Sequence, residues 1–217
     1  MLATIHAEAL GRIAATRSFV RVVEAQETAT GGDPASRSGK GLVFVQNYAV
    51  YEYVVVQAVR AMITEANSRA LTHATARTEL LALALNPEFG AVIGGALRKT
   101  WESRAMLLRR ARSTDTVEIH DGLFPKDGSQ FRMPQLQTLW SLFGLPPPVL
   151  PVGRLIGRVG EMVDNRNRIA HGEEPAEDVG RRYTIAEIRD RIDDTEALCS
   201  HLVAVIGAYL GEPTAFQ

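Results

Sequence analysis

At 217 residues, 46% hydrophobic and 23% charged, the chain is long enough for one domain with a substantial core and too apolar for a disordered one. Its formal net charge of −1 excludes a polycation that coats nucleic acid indiscriminately, so any nucleic-acid contact must come from a local patch. Cys199 is the only cysteine, which excludes an internal disulfide and points to a reducing compartment.

The N-terminal residues are interrupted by His6, Glu8 and Arg12 and lack the apolar block of a secretion signal. No long stretch is free of polar interruption, so no transmembrane helix is expected and the protein is expected in the cytoplasm. Helical periodicity begins at about Thr4 and carries Ile5, Ala9, Ile13, Val20 and Val23 to Glu27. Thr30-Gly31-Gly32-Asp33-Pro34 then opens an expected loop over residues 31–41. From Leu42 to about Ala66, Phe44, Tyr48, Tyr51, Val55, Ala58 and Met62 recur in steps of three and four, one side of a buried helix.

A short helix is expected from Ala74 to Leu85, closed by Asn86-Pro87, and a longer one from Phe89 to Arg112. Residues 113–133 read as a second loop, with Asp121-Gly122 and Asp127-Gly128 as turn signals. Leu136 to Phe143 reads as a short helix, and Pro146-Pro147-Pro148 as a rigid connector. The penultimate helix covers Val152 to Ala170 and ends at Gly172, a C-terminal glycine. The last helix starts in the capping box Thr184 to Glu187 and runs to Leu210, with Cys199 on its apolar stripe and so buried and inert. Alternating strand patterns are missing. The expectation is a single all-α domain over residues 1–217, a helical bundle of four core helices with extra short ones.

The segment Asp164-Asn165-Arg166-Asn167-Arg168-Ile169-Ala170-His171-Gly172 concentrates cations and amides at one helix end. A histidine exchanges protons near neutral pH, and an arginine stabilises charge developing on a phosphoryl oxygen. RNA brings its own nucleophile, the 2′-hydroxyl, so such a pair needs neither metal nor cofactor. On an ideal helix Arg166 and His171 stand about 140° apart, so their convergence requires the last turn before Gly172 to unwind. The competing reading is a helix C-terminus whose basic residues complement the helix dipole.

The string Arg166-Asn167-Arg168-Ile169-Ala170-His171-Gly172 resembles the signature of the HEPN superfamily, in its common form R-N-x-x-A-H-G. The order of surrounding features is also similar: Tyr51-Glu52 on an early helix, Phe143 to Leu145 after a short one, then the signature helix and a long final helix. The likeness covers roughly Leu42 to Leu210, and the chain is similar to stand-alone HEPN proteins of prokaryotic conflict systems. It implies a HEPN-like bundle acting as a homodimeric, metal-independent endoribonuclease, a toxin or antiviral effector, with an antitoxin or regulatory protein as a further partner. Carried over, Arg166 contacts the scissile phosphate, His171 is the general acid/base and Asn167 orients groups in the site. The resemblance also allows a non-catalytic helical module that binds nucleotide, nucleic acid or protein. A family subset carries a modifiable tyrosine just beyond the histidine. Gly172-Glu173-Glu174 stands there here, with Tyr183 the nearest tyrosine downstream, which argues against that control.

Glu52 falls among Val45, Tyr48, Val55 and Val59, where an unpaired carboxylate is costly. Two partners are open: Arg166, which makes Glu52 a clamp behind the site, or another cation or solvent. Arg98, Lys99, Arg104, Arg109 and Arg110 face the single acid Glu102 around Trp101 and, with Arg168, are candidate RNA contacts. The alternative for that stretch is a solvated face with Trp101 in the core. Ser38-Gly39-Lys40-Gly41 fails as a phosphate loop, and the five histidines lack metal-ligand spacing.

Overall fold

A computed structural model describes residues 1–94, 99–123 and 131–217. Among these residues the fold is all-helical, with no strand and one isolated bridge between Thr72 and Thr116. The helices are α1 (Leu2–Thr30), α2 (Pro34–Ser68), α3 (Thr78–Ala84), α4 (Asn86–Gly94), α5 (Thr100–Arg110), α6 (Met133–Phe143), α7 (Leu155–Ala170), α8 (Ala176–Gly180) and α9 (Ile185–Leu210).

The four longest, α1, α2, α7 and α9, make the core, with α2 packed against the other three and against α8. In α1 the buried Ile5, Ala9, Ile13, Thr16, Val20 and Val23 form one stripe at helical spacing, and in α9 Ile188, Ile192, Cys199, Leu202 and Ile206 form another. Between these stripes α2 is covered on several sides, burying Phe44, Tyr48, Tyr51, Val54, Val55, Ala58 and Met62. By length and composition alone α2 is apolar enough to cross a membrane, a feature that an interrupted sequence of small and polar residues conceals. Here its apolar surface forms the centre of the bundle. At one end α3 and α6 add Leu80, Leu136, Leu139 and Phe143, and the C-terminal Phe216 is fully buried against Phe143 and Tyr209.

The expected loop over 31–41 is corrected, because only residues 31–33 lie outside helices. Asp33 is an N-cap whose carboxylate accepts from the Ser36 amide at 2.8 Å, and Pro34 occupies the first turn, where no amide is needed. Gly39 and Gly41 are not turn formers. A Cβ on Gly39 would lie 2.5 Å from Val23 of α1, and one on Gly41 would lie 2.8 Å from the Ala176 carbonyl carbon of α8. Asn86-Pro87 opens α4 instead of closing α3, again with proline in the first turn. The helix expected from Phe89 to Arg112 divides into α4 and α5, and residues 95–98, including Arg98, lie outside the described residues.

Candidate functional site

The end of α7 is a Schellman motif. The His171 amide donates to the Asn167 carbonyl at 2.9 Å, continuing the helix; the Gly172 amide donates to Ile169 at 3.2 Å and the Glu173 amide to Arg168 at 2.9 Å. Gly172 carries the φ of +71° that this closure needs. His171 therefore keeps helical backbone angles at the C-cap. The expected unwinding of the last turn does not occur, because the capping bonds of the terminal carbonyls depend on the turn staying wound.

Arg166 and His171 consequently leave the helix on different sides. The guanidinium of Arg166 turns toward α2 and lies 4.6 Å from the centre of the Tyr48 ring. Its Nη1 donates to Asn167 Oδ1 at 2.9 Å. Tyr48 is only 1% exposed, and its hydroxyl donates to Glu52 Oε1 at 3.3 Å, one turn along α2. Burial, with the charge of Glu52 adding to it and that of Arg166 opposing it, pushes the Tyr48 hydroxyl above its ordinary range, so it stays a donor. Glu52 is thus half-buried and linked to Arg166 through the Tyr48 ring, without the direct ion pair considered from the sequence. Tyr48 is the site residue that sequence reasoning missed. It was legible only as part of an apolar stripe, although its spacing of four from Glu52 signalled the pair.

His171 is exposed, and its ring forms no hydrogen bond or ion pair among the described residues. Arg166 likewise has no carboxylate partner there. The other cations of this region are occupied: Arg132 with Asp164 at 2.6 Å, Arg158 with Glu161 at 3.1 Å, Arg168 with Glu174 at 3.6 Å, Arg182 with Glu174, and Arg191 with Glu161 at 3.0 Å. Asn165 is buried behind the site and donates to the Tyr183 hydroxyl at 3.0 Å, which donates to Glu161 Oε1 at 3.1 Å. This partly buried chain of bonds ties Asn165 and Glu161 of α7 to Tyr183 in the turn between α8 and α9.

The basic stretch does not join this site. Lys99, Arg104, Arg109 and Arg110 are exposed on or beside α5, which packs chiefly on α4 and has no substantial packing against α7. Trp101 is 74% exposed, which overturns its placement in the core. Among the described residues no cluster of His, Cys, Asp and Glu has the proximity of a metal-ligand set. Compared with protein-family models, curated proteins and solved structures, the chain gives no match.

Proposed function

We propose that this protein is an endoribonuclease of HEPN type that cleaves RNA without a metal ion. The observation that carries the reading is Arg166, a guanidinium anchored on Tyr48 and Asn167 yet unpaired with any carboxylate among the described residues, at the same helix end as a free, exposed imidazole. An arginine held in place without an acidic partner is a ready phosphate ligand.

In the reaction the 2′-oxygen of one ribose attacks the adjacent phosphorus while an imidazole takes the hydroxyl proton. Arg166 stabilises the charge on the non-bridging oxygens. The 5′-oxygen of the next nucleotide leaves with a proton from a second acid, and the upstream fragment keeps a 2′,3′-cyclic phosphate. Because Arg166 and His171 diverge on one helix, the reading requires a homodimer in which the α7 ends of two copies share one RNA strand. Arg168 at that end supplies a further phosphate contact only by exchanging Glu174, its partner at 3.6 Å, for the RNA backbone. A toxin or antiviral role in the cytoplasm, held in check by an antitoxin or regulatory protein, is the setting this activity fits.

Purified protein is incubated with RNA in EDTA. The native chain is expected to yield cyclic-phosphate ends, and His171→Ala or Arg166→Ala to lose about 100- to 10,000-fold in rate. Cleavage that survives both substitutions, or is missing from a dimeric native sample, overturns the reading and leaves a non-catalytic helical module.

A further inference from the structure

The α4 and α5 helices contain no buried residue. Together they leave Phe89, Ile93, Trp101, Met106 and Leu108 exposed, with Ile93 at 85% and Trp101 at 74%. On α5 the residues Trp101, Ala105 and Leu108 stand at i, i+4 and i+7 and share one face, while the half-buried Ser103 and Leu107 occupy another. Arg104 and Arg109 flank the exposed face, the Arg104 guanidinium lying 5.0 Å from the centre of the Trp101 ring, and Arg112 follows one turn beyond Leu108. Among the described residues Arg110 alone of these has a carboxylate partner, Glu88 of α4 at 3.1 Å. Between Lys99 and Arg112 five cations face one acid, a local charge of +4 on a chain whose total is −1.

The combination narrows the occupant. A second copy of the same face would bring two such positive arrays together. A nucleic acid would use the arginines and the Trp101 ring but gains little from the exposed Leu108 beside them. An anionic bilayer uses what the Trp101 face carries together: Leu108 enters the acyl boundary, Trp101 settles at the interface, and the flanking arginines reach the phosphates along their apolar stems. We infer that the exposed face of α5 beside α4 is a docking surface for anionic phospholipid membranes, lying flat on the bilayer through Trp101 and Leu108. This docking is independent of the cleavage chemistry at the end of α7.

The full chain is mixed with vesicles of phosphatidylcholine alone or with added phosphatidylglycerol, and followed by co-sedimentation and tryptophan emission. The inference expects sedimentation with anionic vesicles only and a blue shift contributed by Trp101, since Trp140 is already buried. Arg104→Ala and Arg109→Ala each weaken binding about fivefold, raised salt reverses it, and Trp101→Ser removes the shift with unchanged circular dichroism. His171→Ala binds like the native chain, which separates this result from the fate of the nuclease reading. Failure to bind anionic vesicles, or equal binding to neutral ones, overturns the inference. So does a Trp101 response to single-stranded RNA without one to vesicles, or a dimer that Trp101→Ser dissolves.

Discussion

Tyr48 is the residue on which the candidate site and the core depend together. Its ring supports the Arg166 guanidinium and its hydroxyl occupies Glu52, so the two functions separate by substitution. Tyr48→Phe keeps the ring and removes one hydrogen bond. It is expected to cost about 1 kcal/mol in urea unfolding and to leave RNA cleavage near native. Tyr48→Leu removes the aromatic platform, and cleavage is expected to fall about tenfold through loss of the cation–π contact, in kcat more than in KM. If the two variants cleave equally, the ring has no part in holding Arg166. Cys199 shows the opposite case, a reactive group made inert by its place. Burial and the nearby Glu196 carboxylate push its thiol up to about 12, so almost no thiolate exists at neutral pH. A disulfide-exchange reagent is expected to label Cys199 only as the chain unfolds, with the labelling midpoint tracking the urea transition.

At the scale of helices, the contact between α2 and α8 rests on two glycines. A Cβ on Gly41 meets the Ala176 carbonyl, and one on Gly180 lies 2.6 Å from the Gly41 backbone nitrogen. Both obstacles are backbone, so neither can yield by a rotamer change. Gly41→Ala and Gly180→Ala are each expected to destabilise by about 3 kcal/mol or more in urea unfolding, the upper range for overpacking. Gly157→Ala on α7 has open space around the added methyl and is expected to stabilise by about 0.5–1 kcal/mol. Equal effects at all three would mean that α8 is not seated on α2. These glycines also show where sequence reading stops. The periodic stripes of α1, α2 and α9, the glycine that ends α7 and the capping box at Thr184 and Glu187 were legible because each is local. Gly39 and Gly41 read as loop formers because the sequence displays their freedom and hides the neighbour that forbids a side chain. Asn86-Pro87 read as a stop because proline before a helix and proline after one look alike until the hydrogen bonds are seen. At the candidate site, Arg166, Asn167 and His171 stood out as a string, whereas the Tyr48 platform joins residues more than a hundred positions apart.

Across the whole molecule, the α7–α9 interface is charged where most helix contacts are apolar, and its response to acid follows. Asp194 is almost fully buried between Arg154 at 2.7 Å and Arg158 at 3.1 Å, and Glu161 bonds Arg191, Arg158 and the Tyr183 hydroxyl. Burial alone would raise the Glu161 carboxyl, but the hydrogen bond and charge of Arg191, with Tyr183 and Arg158, outweigh it and hold the carboxyl below its ordinary 4.5. A carboxyl depressed in the folded state stabilises fully above its unfolded value, and that stabilisation disappears as pH falls through the lower folded value. Removing the charge tests this directly. Glu161→Gln leaves Arg191 partly buried without its carboxylate, and at neutral pH is expected to lower the unfolding free energy by about 1–3 kcal/mol. The native and variant unfolding curves should then approach each other in the acid range below 4.5, because protonation removes from the native chain what substitution has already removed from the variant. A difference that persists undiminished in acid would assign the contribution of Glu161 to packing. In that case the polar anchoring of α7 on the turn before α9 would rest on the bond between Asn165 and Tyr183.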